Sequence, residues 1–494
     1  KIIKKMKKYI YKVLSVGVFA SLALSSCTDL TEPVYDSIPA DQFLKTDAQI
    51  AAALGPAYGG LRGITWDWFN PSEASSDELI VPTRGGDWYD GGDWLAYSRH
   101  TWTPQHGPIN GMWGFIFGNI SQVNQLIPVV ASNQKAVDEL RAVRAIYYFM
   151  AVDAFGNVPI VTDNKSSAAT KTRAEVYNFI VAELTAAIPN LTPGKAYSRM
   201  TQDAAKALLA KVYLNAGVYK GATEWQKAYD TADQVIKSSN NWSLASSTLS
   251  NFIVQNQGSN ENIFAIPFDS FKAGGMNFQM RTLHYANQQT YGLGNSPWNG
   301  FCTLADFYNS FESNDLRGAM WIKGQQYAAS GAKLKDAKGA DLAFVADWEK
   351  DQMTDADAVY QIAGIRSQKY EIQKNNPNGD QSNDYVFLRL ADVILMRAEA
   401  AFRLGNTAQA LTDVNRIRTR SGVAPLTAIT ADAILAERGR ELAWEGWRRN
   451  DLIRFDKFST PRKFMKVTDK TRELFPIPQP RRDANPLLTQ NPGY

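Results

Sequence analysis

The chain has 494 residues, 45% of them hydrophobic, and a formal charge of +4. Six of its cations are lysines within residues 1–27, so the remainder carries −2 and net charge gives no reason to expect a nucleic-acid surface. There are 13 Trp, 21 Tyr and 23 Phe against 3 His and 2 Cys, a balance that favours stacking surfaces over metal or general-base chemistry.

Lys1, Lys4, Lys5, Lys7, Lys8 and Lys12 form a basic segment, and an apolar stretch follows from Val13 to Leu24. That stretch is shorter than the roughly 20 residues of a membrane-spanning helix and fits the h-region of a secretory signal. It ends in Leu24-Ser25-Ser26-Cys27, a lipobox pattern. Residues 1–26 are therefore expected to be a lipoprotein signal peptide, with Cys27 acylated and holding the protein to a membrane surface. Residues 27–40, polar and carrying Pro33 and Pro39, read as a lipidated tether. Cys302 then has no partner for an internal disulfide and reads as a buried small apolar residue.

Residues 41–494 read as one domain, mostly α. The Ala- and Leu-rich stretch 41–62 predicts a first helix. Residues 63–110, dense in Gly, Asp, Trp and Pro, predict long loops. Residues 111–131 again predict a helix. Leu140, Val143, Ile146, Tyr147 and Met150 then recur at helical spacing. Thr172 with Glu175 is a capping box ahead of Val176, Phe179, Ile180 and Leu184; Thr201 can cap the next helix; Thr223 with Gln226 has the form of a second capping box. Residues 201–217 and 224–238 form one predicted helical hairpin. Residues 388–404 and 407–420, joined at Gly405-Asn406, form another. Such pairs resemble tetratricopeptide repeats. The helical scaffold is assigned to 41–62, 111–239 and 386–458, and a loop-rich irregular lobe to 63–110 and 240–385. That lobe includes few strands, one of them Asn262 to Phe268. A helix from Ala431 to Trp447 and a C-terminal tail at 459–494, Pro-rich from Phe475 to Tyr494, complete the reading.

The strongest candidate for function is 62–113, which holds Trp66, Trp68, Trp88, Trp94, Trp102 and Trp113. Indole faces stack on sugar C–H surfaces while neighbouring polar groups bond hydroxyls. In the Gly-rich run from Pro82 to Trp94, Arg84, Asp87, Tyr89, Trp88 and Trp94 are the candidate ligand residues. Trp88 and Trp94 are expected to be exposed, and Trp102 and Trp113 to be packing residues. Asp87, Asp90 and Asp93 lack calcium-loop spacing and read as turn formers, so no metal is expected. Glu437, Glu441 and Glu445 share one helix face, but Arg418, Arg420, Arg438, Arg440, Arg448, Arg449 and Arg454 surround them. An ion-pair lattice is the simpler reading than an acid/base pair or a metal site. No nucleophile elbow, HExxH helix or phosphate loop is present, and no cofactor is expected.

Several strings carry a family resemblance: RAVRAIYYFMAVDAFGNVPI (141–160), AKALLAKVYLNAGVY (205–219), LRLADVILMRAEAAFRLG (388–405), ERGRELAWEGWRRNDLIRF (437–455) and the tail LFPIPQPRRDANPLLTQNPGY. Together with the lipobox they resemble the SusD/RagB family, in that family's order. The resemblance implies four tetratricopeptide-like helix pairs as scaffold and a loop-rich ligand lobe. It also implies a place on the outer face of the outer membrane, over a TonB-dependent SusC-like transporter. It implies binding of oligosaccharide, or of peptide in the RagB branch, without catalysis. It further implies a platform of one early-loop aromatic and two from the lobe, where Trp298 and Trp321 lie at about the right separation and Tyr291 is a further candidate. The Trp content favours a glycan. A peptide receptor and, less favoured, a glycosidase stay open at this point.

Overall fold

The computed structural model describes Leu44 and residues 46–494 apart from 165, 166 and 468. The predicted signal segment, Cys27 and the tether lie outside the described residues. Residues Ile50–Tyr494 form one compact unit.

The architecture is mostly helical, with five two-stranded sheets among the described residues. The longer helices are α1 (Asp47–Gly60), α2 (Phe69–Ala74), α3 (Asp93–Arg99), α4 (Gly107–Val129), α5 (Gln134–Phe155), α6 (Arg173–Ala187), α7 (Gln202–Leu214) and α8 (Trp225–Ile236), then, beyond the lobe, α9 (Leu390–Arg403), α10 (Thr407–Arg420), α11 (Ala431–Leu442) and α12 (Arg448–Arg454). Neighbours in sequence pack on one another: α4 on α5, α5 on α6, α7 on α8 and α9 on α10. Helix α8 also packs directly on α9, so residues 240–385 are an insertion between two adjoining scaffold helices. Helix α5 is central, with every residue from Ala142 to Phe155 buried.

Local signals account for many boundaries. The Thr172–Glu175 capping box is formed in full, and Thr201 accepts from the Ala204 amide. Gly405 takes φ 83°, and Asn406 caps α10 through the Gln409 amide. The predicted strand pairs Asn262–Ile266 (β1) with Tyr385–Arg389 (β2), antiparallel; residues 388 and 389, expected to open α9, belong to this strand instead.

Three expectations are corrected. Thr223 does not cap α8. Glu224 occupies the cap position, and its carboxylate is taken by Tyr177, Lys220 and Lys227. Residues 63–110 are not all loop. The helical path continues from α1 through a 3₁₀ turn (Leu61–Gly63) and a π-turn (Ile64–Trp68) into α2, and α3 follows later. Gly60 and Gly63 serve packing: a Cβ at residue 63 would lie 2.6 Å from Phe115 on α4, and one at residue 60 would strike Asn119. Finally, the helix expected from Ala431 to Trp447 breaks after Leu442. Buried Glu78 accepts from the Trp444 amide and buried Glu73 from the Gly446 amide, and residue 444 turns left-handed at φ 58°.

The expected lattice forms, but not from one helix face: Glu437 and Glu441 lie on α11, whereas Glu445 falls beyond the break after Leu442. Glu437 receives Arg317 at 2.7 Å, Arg440 at 2.7 Å and Arg418 at 3.2 Å. Glu441 receives Arg389 at 2.6 Å, together with Arg420. Glu445 receives Arg389 at 2.7 Å and Lys369 at 2.5 Å. All three carboxylates are buried. Burial would raise the Glu441 carboxyl, but Arg420, Arg389 and Arg317 hold it well below the usual range. Of the seven arginines singled out from sequence, Arg438, Arg448, Arg449 and Arg454 pair instead with Asp392 and Asp451, with Asp77, with Asp153, and with Glu399 and Asp451. The lattice ties α10, α11 and β2 to the lobe through Arg317 and Lys369.

Candidate functional site

Three stretches far apart in sequence bring tryptophans together. Trp66 stands on the π-turn, Trp88 follows a tight turn at Gly85-Gly86, and Trp298 comes from the inserted lobe. The tight turn is closed by paired backbone hydrogen bonds between Arg84 and Asp87 and by Gly85 at φ 68°. Trp88 itself is left-handed at φ 60°, which swings its ring onto the lobe. There its indole N–H donates to the Trp298 carbonyl at 2.7 Å. Trp298 is held in turn by its own amide on Met280 O at 2.6 Å, while the amides of Gly300 and Phe301 bond Arg281 O.

The rings meet at an angle, Trp88 edge-on to Trp94 and tilted against Phe301 and Trp298. Trp88 lies 5.2 Å from Trp94, 5.5 Å from Phe301 and 6.5 Å from Trp298, and Trp66 meets Trp94 at 6.2 Å. Phe301 and Trp94 are the interior of this cluster. Trp88 and Trp298 are half-buried, whereas Trp66 and Tyr89 are 43% and 46% exposed. Arg281 backs Trp66, its guanidinium carbon 4.6 Å from the ring centre. Burial lowers Arg281 to about 9, and its donors are spent on Asn277 and Asn70 side chains and the Thr65 carbonyl.

Beside the rings the surface turns polar. Asp87 is exposed and accepts from the Tyr285 hydroxyl. A depression of about 380 Å³ adjoins it, lined by Gly86, Asp87, Thr354, Asp355, Tyr360 and Gln361 among others. The face thus offers flat apolar rings on one side and carboxylate, hydroxyl and amide groups on the other.

The expected site residues fall into two groups. Trp88, Trp298 and Asp87 stand at this face, and Tyr89, next to Trp88 in the chain, is exposed. Trp94 does not present a ring to solvent: it is 5% exposed, and its N–H donates to Asp90 one turn back at 2.8 Å. The Gly and Asp around it build the start of α3, not an open loop. Trp321, at 7% exposed, packs among Phe307, Phe311 and Trp444, away from the Trp88 cluster. Arg84 is buried, its guanidinium bonding the carbonyls of Tyr360 and Ala363 at 2.9 and 2.8 Å, so it anchors the turn from beneath. Tyr291 packs against the apolar cluster of Leu283, Leu293 and Ile372. Trp102 and Trp113 are buried, as expected, and so is Cys302. Among the described residues no group of three His, Cys, Asp or Glu is arranged to hold a metal ion. Tyr285, Phe301, Arg281 and Tyr360 had no local signal in the sequence. Trp66 shared its signal with five other tryptophans.

Comparison with known proteins bears on this arrangement. A model described as the SusD family matches residues 260–494, and a second, described as starch-binding associating with outer membrane, matches residues 82–214. Starch-binding protein SusD of Bacteroides thetaiotaomicron is 26% identical over 484 residues, taking in 86% of this chain and 85% of that protein. A laminarin-binding SusD-like protein has the same fold, with a TM-score of 0.73 at 24% identity, covering 91% of this chain and all of that one. Surface glycan-binding protein A from Bacteroides thetaiotaomicron, solved in complex with laminarihexaose, gives a TM-score of 0.73 at 21% identity over 90% of this chain and 99% of that one. The solved structures share its fold, and with the SusD family model over residues 260–494, the second model over residues 82–214 and a SusD relative aligned along most of its length, the chain belongs to the SusD/RagB family.

Proposed function

We propose that this protein is a non-enzymatic cell-surface receptor that binds an oligo- or polysaccharide on the face carrying Trp66, Trp88, Tyr89 and Trp298. The observation that carries the reading is the convergence of Trp66, Trp88 and Trp298 from three separate segments on one partly exposed ring cluster, with Asp87 and Tyr285 beside it. Rings supply the stacking surface, and the polar groups supply hydroxyl partners. The relatives' names point to glucose polymers as first probes. Calorimetry with starch, laminarin and their oligosaccharides should show binding that weakens by about 1 kcal/mol or more in Trp298→Ala, roughly fivefold in Kd. Binding of peptides with none of any polysaccharide would overturn the sugar assignment, and release of new reducing ends on long incubation would overturn the non-enzymatic one.

The same reading places the protein on the outer membrane, anchored through Cys27 and partnered with a SusC-like TonB-dependent transporter. Loss of labelled fatty acid from Cys27→Ser tests the anchor. Co-purification of a large outer-membrane protein in mild detergent tests the partner; persistent isolation as a lone monomer counts against it.

A further inference from the structure

Of the five aspartates in residues 62–113, four are engaged within the chain. Asp77 pairs with Arg448, Asp87 accepts from the Tyr285 hydroxyl, Asp90 accepts from the Trp94 indole, and Asp93 lies 3.5 Å from a ring nitrogen of His106. Asp67 is the exception. It follows Trp66 on the π-turn and is half-buried, yet among the described residues neither of its oxygens has a hydrogen bond or an ion pair. Neither oxygen is sealed from solvent.

The surroundings leave this carboxylate uncovered. Gly63, four residues back on the same helical path, and Gly111, at an exposed position of α4, border it. A Cβ on residue 63 would lie 3.6 Å from Oδ2, and one on residue 111 would lie 3.3 Å from Oδ1. Glycine at both positions supplies no side chain to cover or bond the oxygens. Arg281, whose charge reaches Asp67, bonds the Asn277 and Asn70 side chains and the Thr65 carbonyl instead. Burial raises the Asp67 carboxyl above its usual range, and Arg281 offsets this only in part.

A half-buried carboxylate without a partner is a cost to the free chain. A ligand that brings donors removes the cost. An ionised carboxylate only accepts, with room on its two oxygens for more than one donor. Beside it, Trp66 holds an open indole ring. A sugar ring fits both features together, with C–H groups for the indole face and hydroxyls at its rim for the carboxylate.

We propose that Asp67 is a further binding residue of the aromatic face, accepting two hydroxyls from the rim of the sugar unit that stacks on Trp66. The choice of sugar hydroxyls over other donors rests on the function proposed above; the free carboxylate beside an open ring does not.

The test is calorimetry on the full chain with maltohexaose and laminarihexaose, alongside urea denaturation. Asp67→Ala removes the acceptors. Gly111→Leu leaves Asp67 in place and lays a side chain over it, from an exposed helix position that favours leucine over glycine. Each variant is expected to weaken hexasaccharide binding at least about tenfold, the effect of losing hydrogen bonds to a charged group. The urea midpoint of Asp67→Ala is expected at or above that of the parent, because the free chain loses no bond. Unchanged affinity in both variants, with binding weakened in Trp298→Ala, overturns the role of Asp67 and leaves the aromatic face standing. An Asp67→Ala variant that loses affinity and urea midpoint together also overturns it, since Asp67 then props the fold. Tenfold losses in both variants, with Trp88→Ala and Trp298→Ala binding as the parent does, keep Asp67 and overturn the shared ring face. Peptide binding with none of any sugar overturns both.

Discussion

The indole of Trp88 lies directly over Gly300, so close that a Cβ on residue 300 would stand 2.8 Å from the indole nitrogen and nearer still to the ring carbons. Glycine is needed there for room, since Gly300 does not have a positive φ. Gly300→Ala should therefore push Trp88 off the lobe and break its bond to the Trp298 carbonyl. The expected outcome is a loss of glycan affinity close to that of Trp88→Ala, about 1 kcal/mol or roughly fivefold, with the far-ultraviolet circular dichroism unchanged. An alanine variant that binds as tightly as the parent would show that Trp88 does not need this seat.

Arg389 holds three carboxylates at once, Glu261 at 2.8 Å, Glu441 at 2.6 Å and Glu445 at 2.7 Å, and is fully buried. Arg389→Ala leaves charges in the interior that Arg317, Arg420 and Lys369 compensate only in part. Breaking a buried ion pair from one side costs about 3–5 kcal/mol. Urea denaturation should show a loss of that size. A loss under about 1 kcal/mol would mean that the remaining cations suffice.

The legible and illegible parts of the sequence divide along this same line between local and distant partners. Thr172 and Glu175 complete each other within four residues, and so announce a helix start that the chain then makes. The spacing of Glu437 and Glu441 announced a shared face that α11 makes, Glu445 was expected on it but lies past the break after Leu442, and the surrounding arginines announced ion pairing. Yet Arg317 and Arg389, which carry much of the lattice, arrive from 120 and 52 residues away. The tryptophans show the same limit. Gly and Asp around Trp94 report the turn that starts α3 but not the cover that Phe301 and Trp88 place over the ring. Trp66 looked no different from Trp68 two residues on, because a π-turn, which no periodicity reveals in five residues, decides which of them faces water.

The pair Glu73 and Glu78 gives stability a pH dependence opposite to that of Glu441. Burial pushes Glu73 up to about 7, and burial together with Glu73 holds Glu78 well above the usual carboxylate range. With the folded values raised, the contribution of the neutral carboxyls is complete below the ordinary 4.5 and is lost as pH climbs through about 7. Glu78→Gln keeps an acceptor for the Trp444 amide and cannot ionise. It should gain on the parent by about 1–3 kcal/mol between pH 5 and pH 8. Urea midpoints at the two pH values measure this, and a stability difference that stays constant between them would remove the pair from the account.

Trp321 separates packing from ligand contact. Its ring meets Phe307, Phe311 and Trp444 at 6.2, 5.5 and 6.5 Å, edge-on in each case, and little of it reaches solvent. Truncating a buried Trp to Ala costs about 3–5 kcal/mol through lost burial and the cavity left behind. Trp444 also sits at the break between α11 and α12, so the loss should loosen the segment held by Glu73 and Glu78. Trp321→Ala is expected to lower the urea midpoint strongly. Trp321→Phe, which keeps an aromatic ring in the nest, is expected to retain most of the stability and the full glycan affinity. A Phe variant that folds normally but loses affinity would return Trp321 to the binding face and show that ligand reaches a ring the packing encloses.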